Sequence, residues 1–386
     1  MRLLLRGLKA NESTSAMKLK IKRAELARAL YRTQGIADKK STQPVLGHAL
    51  LDAAEDGTIT VSATDLDVGL IGQYEGEVEK AGSLAIPARQ LYEIIKSLKT
   101  ESVVLEEQEN SWIEITAEKS TFRLVGMPAD EFPSLPSYED IPTSTVPAAD
   151  LIQMIDRTLF CVSTDDKRHN LSGVYCVREN DNQLRLVATD GHRLAMAHKE
   201  LDHNVGLSQG VIVPRKGFQE LKRVLGDMND VNTVELGFTG NSGVLKTGSV
   251  VLSTRLVEGA FPEYQQVIPQ SAPFTAKISR PALMDSLRRV SLLSQSRAYG
   301  VRLSFGDNQL ELVAEDPEFG RATEVIDIDY PHDTLTIGFN ARYILDVLGH
   351  IRDDGINFSL SDGLSPGVIT PLEEQGFLAV VMPMRI

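Results

Sequence analysis

LRLVATDGHRLAMA, residues 184–197, is the stretch that decides how this chain of 386 residues folds. The same short pattern occurs at Ile59–Leu70 (ITVSATDLDVGL) and at Leu310–Thr323 (LELVAEDPEFGRAT). Its Ala-Thr/Glu-Asp element begins at three equivalent positions, Ala63, Ala188 and Ala314. These starts lie 125 and 126 residues apart. A repeat of this length can fold as a domain, so three similar domains are predicted and not a solenoid of short units.

A second repeated element follows each copy: a short apolar strand that runs directly into an amphipathic helix. The three copies are LAIPARQLYEIIKSL (84–98), GVIVPRKGFQELKRVL (210–225) and TLTIGFNARYILDVLGHI (334–351). Apolar residues at helical spacing predict one buried face for each helix. The equivalent start positions are held by Pro87, Pro214 and Asn340. Proline suits the first helical turn, and asparagine is a good N-cap.

Each repeat is also predicted to open with a helix, at Lys22–Gly35, Pro147–Val162 and Ser279–Gln295. Strands fill the intervals, so each repeat reads helix, strands, helix, strands, and the fold class is α+β. The predicted domains span 17–140, 141–271 and 272–386. Residues 1–16 are predicted to be a disordered extension or the product of an upstream start codon.

Composition restricts the class of protein. Cys161 and Cys176 are the two cysteines, and their spacing fits neither a disulfide framework nor a zinc site, which suits a reducing cytoplasm. No apolar run approaches the roughly 20 residues of a membrane span. We therefore predict a cytoplasmic protein that needs no cofactor and no metal.

The charge is distributed unevenly. The net charge is −13, but six helical segments with their flanks carry 22 basic and 10 acidic residues. These segments are 22–40, 87–100, 147–170, 214–225, 279–299 and 340–352. Charged helix faces are often simply solvated, and such faces usually mix both signs. The basic excess instead predicts a helical layer that faces a polyanion. Such a layer would contact phosphates and would not read bases.

Several motifs together are highly specific: ATDGHRLA (188–195), VIVPRKG (211–217), EGAFPEY (258–264), GFNARYILDVL (338–348) and VMPMRI (381–386). With them, the chain from Met17 to Ile386 resembles the bacterial DNA sliding clamp, the beta subunit of DNA polymerase III. The resemblance implies a ring-shaped, head-to-tail homodimer of three-domain chains. Two helices of each domain would line the inner face, with antiparallel sheets outside. The ring would encircle duplex DNA and tether polymerases to it without being an enzyme itself.

Helix dimensions agree with a dimer. Helices are about 10 Å thick and pack about 8–10 Å apart, so six in a circle leave a hole of roughly 9 Å and twelve leave roughly 28 Å. The groove depths of duplex DNA alone sum to about 16 Å. One chain therefore cannot close around DNA, whereas two chains in head-to-tail contact can.

The resemblance also implies a hydrophobic pocket for short peptide motifs of DNA polymerase III, other polymerases, the clamp loader and repair proteins. Flexible methionines, aliphatic side chains and proline suit a groove that serves several partners. Gln266 and Pro366 stand where the family often has Arg and Ser, which affects partner preference at that edge. By motif, the pocket maps to Leu171, Thr189, Gly191, His192, Arg193, Leu194, Pro262, Val267, Asn340, Tyr343, Leu364, Val380, Val381, Met382, Pro383, Met384 and Arg385.

For DNA contact and dimer closure, the resemblance points to two further sets of residues. Asp165 also falls at a DNA-contact position of the family, but a carboxylate there would repel phosphate. His169 and Asn170 stand where some members have an aromatic pair, so hydrogen bonding would replace stacking. The dimer contact would join Phe122 to Leu292 and Leu293. The DNA set is Lys40, Arg89, His169, Asn170 and Lys216.

Two other classes of protein remain to be weighed. An enzyme would use Asp190 and His192 as a catalytic or metal pair, but the chain shows no accompanying nucleophile or carboxylate cluster. The equivalent turns at Asp65 and Asp316 have no histidine, so we expect Asp190 to fix a turn. A scaffold that does not bind DNA would use only the methionine-rich C-terminus, and would not stay on DNA as a ring does.

Overall fold

The computed structural model describes residues 16–37, 41–135, 138, 141–165, 167–180, 182–201, 207, 209–228, 231–294 and 299–386. The DNA-contact candidate Lys40 and residues 1–15 of the predicted extension 1–16 lie outside the described residues. Within the described part of the chain, no helix is long and apolar enough to cross a membrane.

In the described part of each of the three repeats lie two α-helices, at bounds close to the predicted ones. They are α1 Arg23–Thr33, α2 Ala88–Ser97, α3 Ala148–Thr158, α4 Arg215–Gly226, α5 Arg280–Val290 and α6 Ala341–Gly349. Asn340 caps α6 as predicted, because its Oδ1 accepts hydrogen bonds from the N–H groups of Arg342 and Tyr343. Pro87 and Pro214 end the preceding strands and do not lie in the first helical turn, so that placement was wrong by one residue.

Strands make up most of the remaining fold. The first repeat contains β1 Lys18–Lys22, β2 His48–Ala53, β3 Thr58–Thr64, β4 Val68–Glu75, β5 Glu77–Lys80, β6 Gly82–Pro87, β7 Ser102–Glu107, β8 Trp112–Ala117, β9 Ser120–Val125 and β10 Met127–Pro128. The middle repeat contains β11 Thr143–Pro147, β12 Gly173–Asn180, β13 Gln183–Thr189, β14 Arg193–Glu200, β15 Val211–Pro214, β16 Thr233–Thr239, β17 Ser242–Thr247 and β18 Val250–Arg255. The last repeat contains β19 Phe274–Ser279, β20 Gly300–Gly306, β21 Gln309–Asp316, β22 Gly320–Asp327, β23 Leu335–Asn340, β24 Gly355–Leu360, β25 Gly367–Pro371 and β26 Phe377–Val381.

Each repeat opens with a strand, not with the predicted helix. β1, β11 and β19 precede α1, α3 and α5. In β1, Leu19 and Ile21 are buried, whereas Lys20 between them and Lys22 after them are exposed. This period-two alternation is the signature of a half-buried strand, but five residues beside a long helical pattern gave a weak signal.

Among the described residues, the strands form four antiparallel sheets, which confirms the α+β class. Their orders are β5-β1-β7-β8-β9, β10-β6-β2-β3-β4-β18-β17-β16-β11, β15-β12-β13-β14-β26-β25-β24-β19 and β22-β21-β20-β23. Two sheets continue from one repeat into the next. We call the β4–β18 pairing the first junction and the β14–β26 pairing the second junction.

The chain separates into two compact units, and the middle repeat is divided between them. One unit comprises residues up to 149 together with 216–256, and the other comprises 150–215 together with 257–386. The first junction lies within the former unit and the second junction within the latter. Because the sheets cross the repeat boundaries, compactness does not follow the sequence repeat, and the boundaries 17–140, 141–271 and 272–386 stay a prediction.

The repeated turn has the predicted role. The Oδ1 atoms of Asp65, Asp190 and Asp316 each accept hydrogen bonds from the backbone N–H groups two and three residues later, at 2.7–3.3 Å. This side-chain cap fixes the turn that follows the strand. Gly191 has a φ of 85°, and Leu66 holds the equivalent left-handed position with a φ of 79°.

Much of the basic charge on the helices is already paired with carboxylates. Arg32 is 4% exposed and its Nε lies 2.9 Å from Asp227 Oδ2. Arg157 is 3% exposed and pairs with Glu374. The predicted polyanion-facing charge is therefore smaller than the count suggested, because a count along the sequence does not show which cations are neutralised inside the fold.

Candidate functional site

Backbone hydrogen bonds join the two strands of the second junction and extend beyond them. Arg193 pairs with Val381 in register, and the N–H of Met382 donates to His192 O at 2.9 Å. Further on, the N–H of Met384 donates to the carbonyl of Gly338 on β23 at 2.9 Å. A side chain at Gly338 would collide with the tail, since its Cβ would lie 2.5 Å from Met384 O. The segment 382–386, which we call the tail, is thus held in place by its backbone.

Arg193 is the centre of a dense cluster at this junction. Its Nε lies 3.1 Å from Asp190 Oδ2, one Nη contacts Asp346, and the other Nη donates to the carbonyl of Phe160 at 3.1 Å. The guanidinium carbon lies 4.7 Å from the ring centroid of Tyr343 and 5.5 Å from that of Phe160. Arginine combines planar hydrogen bonding with stacking on aromatic faces, and both are realised here.

Tyr343 and His192 form the aromatic part of the surface. Their rings are near-parallel at 15° with centroids 6.0 Å apart. Tyr343 lies on the first turn of α6, whose start is fixed by the Asn340 cap. Burial raises the pKa of Tyr343 above its ordinary value, so the phenol stays neutral at physiological pH.

The floor of the site is closely packed. Leu194, Val380 and Val381 are each at most 2% exposed. Leu194 and Val380 share a hydrophobic cluster with Val187 and Tyr264. These three predicted pocket residues are therefore core residues beneath the site and offer a partner almost no exposed surface. Leu171 and Thr189 are also buried, at 8% and 9% exposure.

Other predicted pocket residues present apolar surface to solvent. Leu364 is 79% exposed, on a turn in which Asp362 Oδ1 accepts from its N–H at 2.7 Å. Val267 is 38% exposed, in the segment that also carries Pro262. The remaining predicted positions with exposed or half-buried side chains, all in the tail, are Met382, Pro383, Met384 and Arg385.

Sequence reasoning missed Phe160 and Asp346. Phe160 lies in a short 3-10 turn after α3, and Asp346 lies on α6, 153 residues from Arg193. Phe160 belongs to no motif, and Asp346 lies within the motif GFNARYILDVL (338–348) but was given no role there. Their roles depend on a contact between distant parts of the sequence, and nothing in the local pattern indicates it.

The predicted DNA-contact residues have varied surroundings. Arg89 is exposed and lines a recess of about 290 Å³ together with Gln34, Ala37 and Gly47. Lys216 is partly exposed, but its ammonium contacts Asp65. The charge at that position is therefore partly neutralised within the chain.

The second pair of predicted DNA-contact residues lies on one short turn. His169 is exposed, whereas the Nδ2 of Asn170 donates to the carbonyl of Ala260 at 3.1 Å. Nearby, the carboxylate of Asp165 lies 3.6 Å from Arg168. That pairing offsets the repulsion expected between Asp165 and phosphate.

The predicted dimer residues lie at the margins of two sheets. Phe122 is half-buried on β9, the last strand of its sheet, and packs against the core of the first repeat. Leu292 is 64% exposed and Leu293 is half-buried, in a short turn that follows α5. β22 is one of the two end strands of the four-stranded sheet, and β23 is the other.

The residues of the candidate enzyme site are used structurally. Asp190 commits Oδ1 to the turn and Oδ2 to Arg193. Among the described residues, no group of three or more His, Cys, Asp or Glu side chains could hold a metal ion. Burial raises the pKa of Cys161 and Cys176 well above that of a free thiol, so neither is a ready nucleophile.

The repeats, the antiparallel sheets and the apolar site at the second junction correspond to one protein family. Sequence models of the DNA polymerase III beta subunit match the chain in three consecutive segments. The N-terminal domain matches residues 17–136, the central domain 145–263 and the C-terminal domain 265–385. The chain therefore belongs to the DNA polymerase III beta subunit family and has its three clamp domains. Proteins of this family are accessory subunits and not enzymes.

Individual relatives carry a more particular name. The beta sliding clamp of Vibrio cholerae serotype O1 is 32% identical over 372 residues, which cover 96% of this chain and all of the relative. That of Escherichia coli K12 is 32% identical over 371 residues, with the same coverage. The solved DnaN sliding clamp of Bartonella birtlesii bound to griselimycin has a TM-score of 0.91 at 34% identity, and the beta subunit of Thermotoga maritima has 0.90 at 29%. Both structures match 96% of this chain and their own full length.

Proposed function

We propose that this chain is a cytoplasmic DNA sliding clamp. Two copies close head to tail around duplex DNA without reading its sequence. They tether DNA polymerase III, other polymerases, the clamp loader and repair proteins through the second junction. The observation that carries the proposal is an apolar, aromatic-edged site at that junction within a chain that matches all three domains of the family.

The surface at the second junction suits a short apolar peptide. The proposed site combines exposed aliphatic side chains at Val267 and Leu364, the stacked rings of His192 and Tyr343, and a tail that contains two methionines. Methionine-containing surfaces adapt to different partners, and a peptide laid in a groove gains specificity from a few pockets. The proposed pocket is the full set of residues assigned above by motif.

Sheet edges support the head-to-tail dimer. β9 and β22 are end strands in the first and the last repeat, and an end strand carries backbone groups ready to pair with another strand. A contact between the first repeat of one chain and the last repeat of its partner is heterologous and can close into a ring. Phe122 would then pack against Leu292 and Leu293 of the partner subunit.

DNA contact depends on local positive charge, since the whole chain carries −13. We propose Lys40, Arg89, His169, Asn170 and Lys216 as contacts to phosphate. The partial neutralisation of Lys216 by Asp65 favours weak contacts, which suit a ring that slides.

Retention on circular DNA tests the proposal. Once loaded by a clamp loader, the protein is expected to stay on nicked circular DNA in 0.5 M salt and to be lost within minutes after the DNA is linearised. Topological linkage resists salt, whereas electrostatic binding weakens steeply as salt rises. Equal loss from circles and linear DNA with rising salt would contradict the ring and indicate ordinary phosphate binding.

A further inference from the structure

The cluster around Arg193 has an unusual property for a cation beside a proposed binding site: its hydrogen-bonding capacity is largely occupied. An arginine has five N–H donors, and three partners already engage Nε and both Nη atoms. Two of these partners are carboxylates, Asp190 and Asp346. The guanidinium is only 11% exposed in its side chain, and two aromatic rings lie within 5.5 Å of it.

The first junction shows that joining the strands does not require this cluster. There the N–H of Arg255 donates to Asp67 O at 2.7 Å, as Met382 donates to His192 in the second junction. The same repeat spacing aligns Val68 with Arg193. Val68 is 1% exposed and pairs in register with Thr254, so an apolar side chain suffices to join two repeats.

The aromatic neighbours of Arg193 are absent from the first junction as well. Gly35 aligns with Phe160, and Gly217 aligns with Tyr343. A carboxylate is retained, since Glu220 aligns with Asp346. Glu220 instead fills the space beside Gly35 and pairs with Arg223. Arginine and both aromatic rings therefore occur together at one junction and are missing together at the other.

We propose that Asp346 is a positioning residue of the docking site. With Asp190, it holds the Arg193 guanidinium between the rings of Phe160 and Tyr343. Arg193 then supports the aromatic surface and does not serve as a ligand for an acidic group. This inference rests on the proposed docking function. It predicts that the docked peptide forms no ion pair with Arg193, because the donors of Arg193 are engaged within the chain.

Substitution of Asp346 removes one carboxylate that holds Arg193 but leaves the other residues of the proposed pocket unchanged. In Asp346→Ala, one edge of the guanidinium loses its charged acceptor, and Arg193 and Tyr343 gain rotational freedom. Asp346→Asn keeps an acceptor oxygen and loses only the charge. Asp346 has a half-exposed side chain, so both variants are expected to fold, and their thermal unfolding midpoints would be measured alongside binding.

The test uses griselimycin, the compound bound in the solved relative, as the probe in isothermal titration with the full-length protein. Asp346→Ala is expected to weaken binding about fivefold, and Asp346→Asn less, in the range of measured couplings between contacting residues. Arg193→Gln alone should weaken binding at least as much as Asp346→Ala. The double variant should equal Arg193→Gln, because Asp346 acts through Arg193.

Two outcomes would overturn the inference: unchanged binding in Asp346→Ala, or a double variant that shows the product of the two single losses. Asp285→Ala is the matched control, since it removes an exposed carboxylate that pairs with Arg288 on α5 and should leave binding unchanged. Failure of the unaltered protein to bind griselimycin would count against the docking function itself. Binding that ignores Asp346 would count only against its positioning role.

Discussion

The two junctions share the same backbone pairing but are surrounded by different side chains. In both, the repeated aspartate turn leads into a strand that pairs with the strand closing the next repeat. The first junction is surrounded by ion pairs, Lys216 with Asp65 and Arg223 with Glu220. The second is surrounded by stacked rings and a tail with exposed apolar side chains. The backbone thus determines that repeats join, whereas side chains determine which junction can bind a partner.

The ion pairs of the first junction's unit are expected to serve stability and not docking. Arg32 is nearly buried, and Arg32→Ala leaves Asp227 without its cation. Removing one partner of a buried pair costs about 3–5 kcal/mol. Chemical denaturation should show a loss of this size, with griselimycin binding by the folded fraction unchanged. Arg288→Ala, which breaks an exposed pair, is the control and should cost less than about 1 kcal/mol. A loss of binding in folded Arg32→Ala would remove the distinction between the junctions.

Deletion of the tail, residues 382–386, should have the opposite effect to Arg32→Ala, because it should weaken binding. The tail is held on Gly338 and His192, while the proposed dimer edges β9 and β22 are elsewhere. We expect griselimycin binding to weaken about 100-fold, equivalent to about 2.7 kcal/mol, and polymerase stimulation to be lost. The solution mass should remain that of the dimer. Dissociation into monomers would show instead that the tail is an assembly element.

Glu220, a carboxylate beside the first junction, gives the smallest expected effect, which is a pH dependence of stability. Burial raises the pKa of Glu220 above its ordinary value of 4.5, although Arg223 opposes the shift. The folded state therefore binds a proton more tightly than the unfolded state, and this contribution to stability is lost as the pH rises from 4.5 through the raised pKa. Glu220→Gln should flatten the fall in unfolding free energy over that window. An identical pH slope in the variant and the unaltered protein would contradict the burial effect.

The repeated pattern made the fold predictable. Three copies of an aspartate turn and three strand-to-helix elements fixed the class, the number of repeats and the helices, because each signal was local and occurred three times. The opening strands were missed, since the alternation of LKIK spans one short segment before a stronger helical period. The crossing of sheets between repeats could not be deduced, because strand pairing over such distances leaves no local pattern.

The candidate site was predictable only in part. His192, Arg193 and the tail belong to motifs, so the resemblance placed them together. Which charged side chains are paired could not be predicted from the sequence. Lys216 pairs with Asp65 and Arg193 with Asp346, and these partners lie 151 and 153 positions apart. Such pairings decide whether a basic residue can meet a phosphate or a peptide.

A crystal structure of this protein with griselimycin tests the contrast between the junctions most directly. We expect density for the compound at the β14–β26 junction, in contact with Tyr343 and the tail, and none at the β4–β18 junction. Equal occupancy of both junctions, or binding at the first junction alone, would contradict the claim that side chains make only the second one a docking site.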